Sequence, residues 1–184
     1  MMDDRLLLRR IRCGQKDALR VIYEKYAEAL LTLAANLLDD PGMAEDVLQD
    51  VLVSFVQSAR RLKIRGSLRA YLATAVVNRT RDYYRRRPRQ RVVSLDEARH
   101  LVTGEKGPVQ MVICNERMQK VRARVAGLPY EQREAVMLRL HADMKFREIA
   151  KVQNVSVKTA LSRYRYGLDK LRSTLNGEVT DEHD

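Results

Sequence analysis

The sequence predicts an all-α chain of two small helical domains, and three observations carry that expectation. Only 8 Gly and 4 Pro occur in 184 residues. Apolar residues recur at steps of three and four rather than alternating, which is helical and not strand periodicity. The breaks between periodic stretches also carry helix-start chemistry, as at Asp40-Pro41 and Ser156.

A first helix is expected over 17–38, with Leu19, Ile22, Tyr23, Tyr26, Leu30, Leu33 and Leu37 along one stripe. Asp39-Asp40-Pro41-Gly42 ends it, and Asp40 caps the next helix with Pro41 in its first turn, where a missing N–H costs nothing. That second helix buries Val47, Leu48, Val51, Leu52, Phe55 and Val56 and turns Glu45, Asp46, Gln49 and Asp50 outward. The segment 63–67 breaks the pattern, and Ser67 caps a third helix that runs to about residue 87, where Pro88 stops it. Residues after Pro88 lose periodicity, so a linker over 92–107 is expected between domains spanning 1–91 and 108–184. The pairs Val92-Val93 and Leu101-Val102 suit docking of that linker on a surface. The second domain reads as helices over 108–126, 131–142 and 146–153, then a turn at Asn154-Val155 and a helix over 156–175. Two helices joined by a tight turn, the second capped by Ser156, have the form of a helix-turn-helix. Ala160, Tyr164, Leu168, Leu171 and Leu175 form the inward stripe of its last helix. Lys158, Thr159, Ser162, Arg163 and Tyr166 are left outward, where a recognition helix presents side chains to base edges.

Charge is concentrated in one place. The chain carries 35 Lys and Arg against 24 Asp and Glu, a formal +11. Residues 60–91 alone hold twelve bases and one acid, Asp82, whereas 1–59 hold seven bases and ten acids. A solvated face mixes both signs, but a run such as Arg85-Arg86-Arg87 repels itself without an anion, which points to nucleic acid. Tyr71, Tyr83 and Tyr84 lie among these arginines, and flat rings beside positive charge suit stacking of unpaired bases, although Tyr71 reads better as core.

Other chemistry is poorly represented. Cys13 and Cys114 fit neither a disulfide framework nor zinc-ligand spacing, and His100, His141 and His183 have no partner pattern. No G-x-S-x-G, Walker loop or G-x-G-x-x-G occurs, so no enzyme, metal or cofactor is expected. The Leu6–Leu8 run is too short for a signal-peptide core and no apolar run of about 18 residues occurs, so a cytoplasmic protein without membrane insertion is expected. Glu45, Asp46 and Asp50 on an open helix suit protein docking or solubility better than metal binding.

Several stretches then stand in a telling order. Ala44-Glu45-Asp46-Val47-Leu48-Gln49-Asp50-Val51 comes first, followed by Arg69-Ala70-Tyr71-Leu72 with Asn78 and Arg81-Asp82-Tyr83. Leu128-Pro129 with Gln132-Arg133-Glu134, Glu148-Ile149-Ala150, and Thr159 with Ser162-Arg163 complete the series. From about residue 17 to 175 the chain resembles the extracytoplasmic-function sigma factors of bacterial RNA polymerase, which keep only sigma domains two and four.

The resemblance implies a sigma factor that binds core RNA polymerase and directs promoter-specific initiation. Glu45, Asp46, Gln49 and Asp50 would meet the β′ clamp helices, with core polymerase (β and β′ subunits) and promoter DNA as partners and an anti-sigma factor as a further one. The 63–67 loop, with Lys63, Arg65 and Ser67, would receive a flipped base of the −10 element, while Asn78, Arg79, Asp82, Tyr83, Arg85 and Arg86 hold the adjoining DNA. Extruding a base costs a few kcal/mol, which a preformed pocket and nearby cations offset, so no ATP site is needed. Ser156, Lys158, Thr159, Ser162, Arg163 and Tyr166 would read the −35 element. Two rival readings are a stand-alone helix-turn-helix transcriptional regulator and a basic RNA-processing enzyme. The first needs a ligand pocket or dimer seam where the sequence puts arginines, and the second lacks a nucleophile, metal cluster or phosphate loop.

Overall fold

The computed structural model describes residues 4–38, 40–62, 64, 66–86 and 116–181. Among them are eight helices and no strand: α1 (Asp4–Arg12), α2 (Lys16–Leu37), α3 (Pro41–Ser58), α4 (Leu68–Arg86), α5 (Glu116–Ala126), α6 (Tyr130–His141), α7 (Phe146–Gln153) and α8 (Val157–Asp181). The expected linker, both of its apolar pairs, and the 108–115 part of the fifth helix lie outside the described residues.

Helix α2 is the central rod, packed by α1, α3, α4, α5 and α6. Its length and apolar stripe explain this, since Ile22, Tyr26, Leu30, Leu33, Ala34 and Leu37 are all buried. Asp40 caps α3 as its sequence suggests, accepting from the Gly42 N–H at 2.9 Å with Pro41 in the first turn. Helix α4 buries Leu68, Leu72, Ala73, Val76, Val77 and Thr80, a spacing of four, one and three residues that makes one face.

In the C-terminal half α6 packs on α8, and α7 on both. Asn154 takes a left-handed conformation (φ 51°, ψ 47°) that ends α7 and turns the chain. Ser156 Oγ then accepts from the Thr159 N–H at 3.0 Å and opens α8. Gly167 sits where α8 crosses α6, and a Cβ there would lie 2.8 Å from Val136 Cγ2.

Three sequence expectations are corrected. An additional helix, α1, precedes the first one expected: Leu7 and Ile11 are buried, with Ile11 four residues on and on the same face. Helix α8 runs to residue 181, six beyond its expected end. Tyr23 and Val56, placed on inward stripes, are exposed at 47% and 38%, because they line an open groove between α2 and α3. The two helical domains appear as expected, and their buried residues form one continuous set running from Leu7 through Val77 to Ala160.

Candidate docking and nucleic-acid interfaces

The groove between α2 and α3 has a volume of about 650 Å³. Leu19, Leu48 and Leu52 line it with the exposed Tyr23, Val53 and Val56, and Glu45 and Gln49 stand among its lining residues. Glu45, Asp46, Gln49 and Asp50 are all exposed, as their helical spacing predicts. An apolar trough edged by Glu45 and Gln49 has the chemistry of a docking surface, since large exposed apolar side chains otherwise cost solubility. Sequence reasoning found the acids and missed the trough, because Tyr23 and Val56 read as ordinary core.

Four arginines of α4, Arg69, Arg79, Arg81 and Arg85, have partners within the chain. Arg79 Nη2 lies 2.9 Å from Asp50 Oδ2, so a residue of the expected −10 surface is tied to one of the expected docking face. Arg85 Nη2 donates to Asp82 Oδ1 at 2.7 Å. Arg69 donates twice to the His141 carbonyl, at 3.1 and 2.7 Å. Arg81 donates from Nε and Nη2 to both oxygens of Glu134, at 3.0 and 2.6 Å, and from Nη1 to the Val152 carbonyl at 2.9 Å. For Arg79 and Arg81 the counter-charges arrive from α3 and α6, which no count along the chain can see.

Asn78, Arg85 and Arg86 are exposed at the end of α4, as is Ser67 at its start, while Arg79, Asp82 and Tyr83 are half-buried. Ser67 Oγ accepts from the Ala70 N–H at 3.4 Å. Lys63 and Arg65 lie outside the described residues, and between them and α4 the chain turns through Gly66 at φ +115°, a value that glycine alone adopts readily. The aromatic residues divide. Tyr71 packs against Phe55 with centroids 6.1 Å apart, the core role expected for it. Tyr84 donates to the Leu37 carbonyl at 3.1 Å and meets Tyr130 edge-on at 6.1 Å, which takes it out of base stacking. Tyr83 sits edge-on to Tyr84 at 5.7 Å.

Burial shapes the titration at the α4–α6 contact. Glu134 is 1% exposed, and that desolvation raises its pKa above the usual carboxylate range, with the Arg81 charge and hydrogen bonds pulling the other way. Tyr130 is raised chiefly by burial, and its hydroxyl lies 3.4 Å from Thr80 Oγ1. His141 is lowered by burial and by the nearby Arg69 charge, which suits a structural histidine.

On α8 the residues expected at the −35 element form one outward group. Lys158, Thr159 and Tyr166 are exposed, Tyr166 at 64%, and Ser162 and Arg163 are half-buried. Arg163 Nη1 donates to Gln153 Oε1 at 3.1 Å, and Gln153 Nε2 donates to the Glu131 carbonyl at 2.8 Å. Gln153 therefore holds the guanidinium in place from α7, a link between the two helices that sequence reasoning did not find.

Comparison with known proteins agrees with this arrangement. The family description Sigma-70 region 2 matches residues 22–90, and Sigma-70, region 4 matches residues 118–171, together about two-thirds of the chain. The ECF RNA polymerase sigma factor SigK of Mycobacterium sp. (strain KMS) is 26% identical over 176 residues, covering 92% of this chain and 89% of the relative. The structure of CnrH in complex with the cytosolic domain of CnrY has a TM-score of 0.68 at 22% identity, covering 95% of this chain and 97% of that one. The sigma factor RpoE of Bartonella quintana, in complex with the anti-sigma factor NepR, has a TM-score of 0.64 at 21% identity, covering 80% of this chain and 90% of that one. Both regions occur in order on an all-helical chain, and relatives named as sigma factors match over most of its length. The chain therefore belongs to the extracytoplasmic-function sigma factors, non-enzymatic proteins that direct RNA polymerase to initiate transcription at specific promoters.

Proposed function

We propose that three surfaces divide the work of this sigma factor. The α2–α3 groove with Glu45, Asp46, Gln49 and Asp50 docks on the β′ subunit of core polymerase. The 63–67 loop and the end of α4, with Asn78, Arg79, Asp82, Tyr83, Arg85 and Arg86, engage the −10 element. The start of α8, with Ser156, Lys158, Thr159, Ser162, Arg163 and Tyr166, reads the −35 element in the major groove. Strand separation is driven by binding energy, and RNA synthesis is left to the polymerase, so the chain works in the cytoplasm where that enzyme is.

The observation that carries this reading is the trough itself: exposed Tyr23, Val53 and Val56 share its lining with Glu45 and Gln49, and Asp46 and Asp50 are exposed on the same helix α3. A partner with basic and apolar side chains would bury all of them together. The same face would admit an anti-sigma factor as a competitor for polymerase, a reading supported by the likeness to RpoE in its complex with NepR.

The test is reconstitution with core polymerase. Wild-type chain is expected to co-purify with the core and to support initiation from a defined promoter. Asp46→Lys is expected to lose co-purification while keeping its helical content. Unchanged co-purification of that variant would move the docking surface elsewhere.

A further inference from the structure

Helix α1 brackets the connection between α3 and α4. At its start, the Asp4 carboxylate accepts from Lys25 Nζ at 2.6 Å and Tyr26 Oη at 2.5 Å, and from the Leu68 backbone N–H that opens α4. At its end, Arg12 donates from Nη2 to the Leu62 carbonyl at 2.5 Å and from Nε to the Ala59 carbonyl at 3.4 Å. Those carbonyls belong to the turn that ends α3, where a helix has no internal donors left to offer. Eight residues of helix span about 12 Å, so α1 lies along the whole connection, from the C-terminus of α3 to the N-terminus of α4. Neither matched family region includes it.

This placement collects positive charge. Arg9 lies one turn before Arg12 on the same face of α1 and is exposed. Arg60 and Arg61 are exposed in the turn that Arg12 grips. None of Arg9, Arg60 and Arg61 has an ion-pair partner among the described residues, unlike Arg79, Arg81 and Arg85 of α4. Four of the seven bases in residues 1–59 sit on α1, so the acidic balance of that stretch conceals a basic helix. Guanidiniums gathered without a carboxylate repel one another until an anion joins them. The chain leaving this turn leads directly into the loop and helix proposed to hold the −10 element.

From this geometry we infer that Arg9, Arg60 and Arg61 form a second phosphate-binding edge of the −10 site, with α1 as an added DNA-contacting element and Arg12 as the residue that positions it. The partner is the sugar-phosphate backbone of promoter DNA next to the −10 bases. The edge carries no base-reading geometry, so it adds affinity to every promoter alike. It rests on the proposed role of the 63–67 loop and α4.

The experiment uses holoenzyme reconstituted from core polymerase and the full chain, with promoter binding measured over a salt series. Each phosphate contact contributes about 0.9 to the slope of log K against log salt on duplex DNA and about 0.7 on a single strand. The R9Q/R60Q/R61Q triple variant is expected to co-purify with the core and to flatten that slope by roughly two to three, while R9K/R60K/R61K restores it. An unchanged slope overturns the inference, and so does a loss of core binding, which would assign the patch to polymerase. Should the triple variant unfold, R9Q alone decides, with a flattening of just under one expected and no change overturning. Failure of this inference leaves the effects of Asn78 and Arg86 substitutions on −10 binding intact. Failure of the underlying reading would abolish those effects as well.

Discussion

Arg81 of α4 and Glu134 of α6, 53 residues apart, form a two-pronged ion pair with contacts of 3.0 and 2.6 Å. The carboxylate is 1% exposed and the guanidinium 37%. The pair joins the helix proposed to hold −10 DNA with the domain proposed to read the −35 element, and Thr80, Tyr84 and Tyr130 pack beside it. Truncating one partner of a buried pair costs ~3–5 kcal/mol because the other charge is stranded, and the partial exposure of Arg81 brings this to about 2–3 kcal/mol. Arg81→Ala is therefore expected to loosen the α4–α6 contact more than Glu134→Gln, which keeps the shape and an acceptor. Small-angle scattering checks this. The closed chain should have a radius of gyration near ~16 Å, and Arg81→Ala should increase it. An unchanged radius would show that the contact does not depend on the pair.

Acid should weaken the clasp of α1. Burial alone would raise the Asp4 carboxyl, but hydrogen bonds from Lys25, Tyr26 and the Leu68 backbone, with the Lys25 charge, hold it below the usual aspartate range. A lowered folded-state pKa contributes stability that is present above the unfolded value and is lost as pH falls through the folded one. Melting temperature is expected to drop below about pH 4 more steeply for wild type than for Asp4→Asn. Glu134 has the opposite sign, since its raised pKa favours the folded state as pH falls. Parallel acid limbs for wild type and Asp4→Asn would remove Asp4 from this role.

Gly167 sets how closely α8 approaches α6. Alanine would gain about 1 kcal/mol of helix propensity, but its methyl would lie 2.8 Å from Val136 Cγ2 and 3.4 Å from the Gln132 carbonyl. Val136 is fully buried and has no room to retreat. Overpacking of this kind costs ~1–3 kcal/mol, so Gly167→Ala is expected to be neutral to mildly destabilising and Gly167→Val clearly destabilising. Thermal unfolding checks the order, at roughly 2–4 °C per kcal/mol for a chain of this size.

At the recognition helix, Arg163→Ala is expected to weaken binding to the −35 duplex by ~1–3 kcal/mol and to relax preference at one base position. Gln153→Ala removes the side chain that holds Arg163 and should give a smaller loss of the same kind. Binding to a panel of single-base variants measures both. Equal losses on every sequence would make Arg163 a phosphate contact only.

Much of the fold was legible in the sequence because its signals are local. The Asp40-Pro41 start of α3, the Ser156 cap and the Asn154 turn each depend on residues a few positions apart, and all appear where the sequence places them. Helix α1 was missed because nine residues give too little periodicity to stand out, and its stability comes from burying Leu7 and Ile11 rather than from propensity. The outward positions of Glu45, Asp46, Gln49 and Asp50 follow from helical spacing alone. The partners of Arg69, Arg79 and Arg81 do not, since His141, Asp50 and Glu134 reach them only after the helices pack. Charge summed along 60–91 therefore overstated how many cations stand open to DNA.

Elements named for positions −10 and −35 lie about 25 base pairs apart, which at 3.4 Å per step is about 85 Å of duplex. On the roles proposed for α4 and α8, two surfaces joined through Arg81 and Glu134 would not straddle such a span. On that proposal, docking on the core would perform mechanical work, parting the two halves before either finds its sequence, and the apparent affinity for polymerase would be reduced by the rarity of the parted form. Substitutions that ease this separation should tighten the grip of the core on the chain while making the unaccompanied protein less compact.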